Sequence, residues 1–186
     1  MLAELWGRYR SRTPPWIIVP DVIPAEAAAL LRERVSPRLA PFHIPNRGRY
    51  AFADAGGEGE LVAEVVQLCE HLAQTELTLI GARLHRLRQG DYALRWDDVC
   101  TRVERGRHLE ATLDFSAAEI SCAEVLYGDG RESALVIPHL PGSMALVERE
   151  PLVRGTADEV LRYDRYLTHP VGAREVFRLR VVLQPK

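Results

Sequence analysis

The run EVFRLRVVLQ, residues 175–184, constrains this chain more than any other stretch. Successive side chains of a β-strand point to opposite faces. Phe177, Leu179, Val181 and Leu183 then make one apolar face, suited to packing against helices. Val176, Arg178, Arg180 and Val182 make the other. Two arginines between valines admit two arrangements. Either they are solvated on an exposed face, or the face lines a barrel interior. In an interior, at least one arginine needs an anionic partner, because an unpaired buried charge is very costly.

The rest of the chain supplies a sheet for that strand. Trp16 to Val19 form a short apolar strand closed by Pro20. PAEAAALLRERV (24–35) predicts a helix, with Pro24 in the first turn and Ala27, Leu30, Leu31 and Val35 on one stripe. A second helix is expected from Glu60 to Ala73, where Leu61, Val65, Cys69 and Leu72 recur at helical spacing. DAGGEGE (54–60) reads as a loop.

Strand patterns take over from Thr78. LTLIGARLHRLRQ is long and roughly alternating. HLEATLDFS places Leu109, Ala111, Leu113 and Phe115 on one face and Glu110, Thr112 and Asp114 on the other. CAEVLY, ALVIP, SMALVER and YDRYLTHPV follow, separated by the turns GDGRES and HLPG. Helices first and short strands after predict an α+β chain, with a sandwich or barrel of about seven or eight strands in a single domain over 1–186.

Composition narrows the function classes. Apolar residues are 47% and charged residues 27%, with a formal net charge of -2. That balance gives no global attraction to nucleic acid or to an anionic membrane. Cys69, Cys100 and Cys122 are widely spaced and form no CxxC pair, which argues against a disulfide framework or zinc knuckle. No apolar secretion segment and no stretch of about 20 apolar residues occurs, so a cytoplasmic protein is expected. No G-x-S-x-G, P-loop or G-x-G-x-x-G is found.

GDYALRWDD (90–98) holds a glycine, a tyrosine and two adjacent aspartates after the long strand. His169 lies nine residues before Arg178. This layout resembles the Fe(II)/2-oxoglutarate-dependent dioxygenases, in style close to the prolyl-hydroxylase-like branch. The resemblance implies a double-stranded β-helix (jelly roll) with N-terminal helices packed on one sheet. The family pattern G-x-Y-x-x-H-x-D aligns with Gly90, Tyr92 and Asp97, but Arg95 stands where the histidine belongs. By the same resemblance, Asp97 and His169 would hold Fe(II). Arg178, with Arg180 as fallback, would bind the far carboxylate of 2-oxoglutarate, and Tyr92 would hydrogen-bond it.

Two imidazoles and a carboxylate leave open positions on Fe(II) for co-substrate and O₂. A guanidinium has no lone pair to give and stays protonated. Arg95 cannot complete the set. His85 and Asp91 are the candidates for a replacement ligand. The usual role of Asp97 and Asp98 is that of turn acceptors at a strand end. Asp97 could also pair with Arg95 or Arg178 around a metal-free site. Two functions follow. One is an oxygenase that hydroxylates a small molecule or peptide side chain. The other is a jelly-roll binding module that has lost iron and takes an anionic ligand or a protein partner.

Overall fold

The computed structural model describes residues 15–45, 48–88, 90–93, 108–117, 123–128, 132–138, 140–149, 164–167 and 175–186, together with Gly7 and Tyr9. For 123–128, 132–138 and 164–167 the description is of the backbone.

The described chain is two antiparallel sheets with two helices on one of them. Eight strands form the large sheet: β1 (Trp16–Val19), β2 (Ala40–Ile44), β3 (Gly48–Asp54), β4 (Leu77–Leu87), β5 (Tyr92–Ala93), β6 (His108–Asp114), β9 (Met144–Arg149) and β11 (Val176–Pro185). The strand order is β1-β9-β6-β11-β4-β3-β2, with β5 paired to β3 off that path. The small sheet is β10-β7-β8, made of β10 (Asp164–Leu167), β7 (Ala123–Gly128) and β8 (Glu132–Pro138). β5 also lies beside β10 and so bridges the two sheets.

β11 sits at the centre of the large sheet and is buried on both faces over Val176–Leu183. Its apolar face does what the alternation predicts. Phe177, Leu179, Val181 and Leu183 join Leu84, Leu109, Ala111 and Leu113 in the main core. Helices α1 (Ala25–Val35) and α2 (Gly59–Ala73) cover that core with Ala28, Leu31 and Val35, and with Val62, Val65, Cys69 and Leu72. The predicted stripe on α1 needs correction at two positions. Leu30 is 65% exposed and Ala27 is exposed, and Ala28 takes the buried position beside Leu31. On α2, Val65, Cys69 and Leu72 are buried as expected, Leu61 is half-buried against the same core, and Val62 is buried in addition.

A second correction concerns residues 54–60. The stretch read as loop contains the end of β3 (Asp54), a 3₁₀ turn (Ala55–Glu58) and the start of α2. The hairpin β2–β3 was hidden by Pro41, Pro45 and Gly48, which punctuate it as a loop would be punctuated. Tertiary contacts override that signal. Phe42, Tyr50 and Phe52 cluster on one face, with Phe42 and Tyr50 stacked at 4.8 Å. Pro41 is tolerated because β2 is the sheet edge.

Glu58 fastens α1 to α2. It is 3% exposed, accepts from Arg38 Nη1 at 2.7 Å, and also accepts from Arg34 Nη2. Among the described residues no helix is long and apolar enough to cross a membrane.

Two outcomes follow. Leu179→Ala deletes a fully buried side chain and should cost about 2–5 kcal/mol in denaturant unfolding, whereas Leu30→Ala should fall within about 0.5 kcal/mol of wild type. Burial, with a smaller contribution from Glu70, pushes the Cys69 thiol well above the ordinary range. Cys69 should therefore resist iodoacetamide at pH 8 in the folded protein and alkylate only after denaturation, read by mass spectrometry of its peptide.

Candidate active site

The other face of the large sheet carries the buried charged and polar side chains. Arg178 pairs in register with His85 on β4 and with Asp114 on β6. Arg180 pairs with Arg83 and Thr112. Glu110 lies one step further along β6, opposite Val182. All these polar side chains are buried: Arg178 is 1% exposed, Arg180 and Glu110 2%, and His85 and Asp114 3%. Of the two arrangements open to the β11 arginines, the structure has the buried one, with carboxylates supplied by β6.

The two arginines are held differently. Arg180 Nη2 donates to Glu110 Oε1 at 2.8 Å, a charge-assisted hydrogen bond. Glu110 Oε1 also stands 3.9 Å from His108 Nε2. Arg178 Nε is 3.8 Å from Asp114 Oδ2, a charge contact beyond hydrogen-bond length. Asp114 cannot turn freely toward it, because Asp114 Oδ1 accepts from the Ser116 N–H at 2.9 Å. This Asx turn ends β6. Its backbone is pinned in turn by the LPGS turn: Gly142 N donates to Asp114 O at 2.8 Å and Asp114 N donates to Ser143 O at 2.9 Å. Gly142 has φ +79, and a Cβ there would meet the Ile23 carbonyl oxygen at 3.0 Å, so the position requires glycine.

The other strands complete the wall. Arg83 lies over the Phe52 ring at 4.9 Å and faces Asp54 at 3.6 Å. His85 lies against the Tyr50 ring, centroids 5.0 Å apart. Tyr50, Leu87 and Val176 form a small apolar cluster beside Arg178 and His85.

At the end of β4 the chain turns through Gly90, at φ +82. Asp91 closes this turn. Its Oδ2 accepts from Arg88 N at 2.8 Å and its Oδ1 from Arg49 Nε at 3.1 Å. Arg49 also donates to the Gly90 carbonyl.

No family model matches the sequence, and no curated protein does. Solved structures match over nearly the whole chain. The α-ketoglutarate-dependent epimerase SnoN of nogalamycin biosynthesis superposes with a TM-score of 0.67 at 12% identity, covering 99% of this chain and 83% of that one. A Pseudomonas putida prolyl-4-hydroxylase gives 0.64 at 15% identity, covering 100% of both chains. A 2OG-Fe(II) oxygenase-family oxidoreductase from Burkholderia pseudomallei gives 0.65 at 10% identity, covering 99% and 90%. The chain has the fold of the Fe(II)/2-oxoglutarate oxygenases. It is a double-stranded β-helix with helices on the large sheet.

Within that oxygenase fold, the residues singled out by sequence divide into three groups. Arg178, Arg180 and His85 come together on the inner wall of β4 and β11. Tyr92 and Asp91 lie at the β4–β5 turn. The Tyr92 hydroxyl donates to the Pro45 carbonyl at 2.8 Å, so giving its proton to a ligand requires that bond to break. Both carboxylate oxygens of Asp91 are occupied by the turn. Asp97, His169 and Arg95 lie outside the described residues. Among the described residues, no group of three histidine, cysteine, aspartate or glutamate side chains is placed to hold a metal.

The sequence reading missed Glu110 and Asp114 as partners of the arginines. The signal was present. Glu110, Thr112 and Asp114 repeat every two residues on one face of β6, matching the two-residue spacing of Arg178 and Arg180.

The buried pair predicts a non-additive outcome. Arg180→Met should destabilise by about 3–5 kcal/mol by leaving Glu110 buried without this partner, and adding Glu110→Leu should recover most of the loss in denaturant unfolding.

Proposed function

We propose that this chain is an Fe(II)/2-oxoglutarate oxygenase-like protein acting on a small molecule or a peptide side chain. The observation that carries the reading is Arg178, a buried cation on the inner wall of an oxygenase-type β-helix. A guanidinium receives a carboxylate through two parallel N–H bonds, and a low-dielectric wall strengthens that contact. Arg180, on the same face, is the fallback, and its Nη2 donates to Glu110. Arg178 would anchor the far carboxylate of 2-oxoglutarate, and Tyr92 would approach it from the β5 side.

The fit to iron is incomplete. The Asp97 carboxylate and the His169 imidazole are donors that Fe(II) accepts. The position of the third donor falls on Arg95, which has no lone pair and carries positive charge. Two of three donors are therefore present in the sequence, and no reaction step is drawn through the metal.

Arg95 also supports a second reading: the same barrel without iron, binding an anionic ligand or a protein partner through the arginine-bearing wall. SnoN has been solved with Fe3+, α-ketoglutarate and nogalamycin RO bound. That precedent favours the first reading, and Arg95 favours the second.

Two measurements separate them. Isothermal titration with 2-oxoglutarate should give saturable binding that weakens by about tenfold or more in Arg178→Ala, the loss of a charged hydrogen-bond pair. Metal analysis after anaerobic reconstitution should find stoichiometric iron in an oxygenase. No iron in the wild type, with iron gained in Arg95→His, would establish the binding module.

A further inference from the structure

The carboxylate site has a direction. Arg178 lies between strands that offer it opposite neighbours. On the β6 side stands Asp114, with Oδ2 at 3.8 Å from Arg178 Nε and the carboxylate oriented by its Asx turn. A ligand carboxylate arriving on that side meets a like charge in a buried setting, where repulsion is strongest. On the β4 side stands His85, the register partner of Arg178. An imidazole brings a ring N–H donor and no negative charge.

The surroundings hold the imidazole in place. His85 is 3% exposed and packs against Tyr50, the ring planes inclined by 48°. Tyr50 is itself fixed by Phe42 and Phe52. Arg83, on the same face of β4, is turned to Phe52 and Asp54. Beyond His85 and Arg178, toward the β4–β5 turn, the wall becomes apolar at Leu87 and Val176, which are also register partners. A polar end followed by an apolar strip matches a carboxylate on a short aliphatic chain.

We propose that His85 is the second carboxylate-binding group of this site. It donates an imidazole N–H to the carboxylate that Arg178 holds, and the ligand's aliphatic chain lies along Leu87 and Val176. The inference rests on the co-substrate reading of Arg178 and adds the residue and the side of approach.

The test is titration of 2-oxoglutarate into wild type, Arg178→Ala, His85→Phe and His85→Gln, each checked for folding by thermal unfolding. Phenylalanine keeps a ring against Tyr50 and removes the donor; glutamine restores an N–H. His85→Phe should weaken binding by about ten- to a hundredfold, and His85→Gln should recover most of it. In the wild type, the His85 ring nitrogen resonances should shift when 2-oxoglutarate is added, a readout that needs no variant to fold. Wild-type affinity in His85→Phe, or unmoved His85 resonances, alongside loss of binding in Arg178→Ala, would overturn the role of His85 and leave Arg178 standing. Absence of binding in the wild type, or full binding in Arg178→Ala, would overturn the co-substrate reading itself, and the role of His85 with it.

Discussion

A central strand with cations on its buried polar face has to find anions in the strands beside it. β11 carries Arg178 and Arg180 into the interior, and β6 answers with Asp114 and Glu110. The alternative is a desolvated charge without compensation, a penalty of several kcal/mol. This requirement fixes more than a contact. A one-residue slip of β6 against β11 would turn Glu110 and Asp114 into the helix-facing core and bring Leu109 and Leu113 to the arginines. The charge pairs and the apolar face thus specify one register from both sides of the sheet.

The same wall shows a division of labour. Arg180 is hydrogen-bonded to a carboxylate of the protein, whereas the Asp114 contact of Arg178 is longer and the carboxylate is turned by its own strand-end geometry. Two arginines in different settings can sit two residues apart because alternation puts both on one face while each meets different neighbours. Arg178 faces Asp114 and His85, and Arg180 faces Thr112 and Arg83.

Much of this was legible in the sequence where alternation was strong. The two faces of β11, the two faces of β6 and the helical stripe of α2 follow from period alone. The β2–β3 hairpin did not, because its prolines and glycine read as a loop, and the aromatic packing that overrides them is tertiary. Leu30 was misplaced because the α1 sequence AEAAALLRERV offers two adjacent leucines and period alone does not choose between them. Which strands become neighbours was not readable at all, since β4, β6 and β11 are far apart in sequence. That is why the acidic partners of the arginines were overlooked and His85 was considered only as a metal ligand. The candidate ligands Asp97 and His169 rest on the resemblance, outside the described residues.

The position of β11 also bears on how the chain reaches its native state. It is later in sequence than every strand it joins, yet it fills the middle of the large sheet, between β4 and β6. Two partial sheets, β1-β9-β6 and β4-β3-β2, flank an open slot until it arrives. Each would then expose a long unpaired edge, of the kind that templates misassembly. Closure depends on pairing across long sequence separations, which is slow because the loop entropy is lost before the contacts form. The strand that carries Arg178 and Arg180 is therefore also the keystone of assembly, and their buried polar face comes into being only when the sheet is whole.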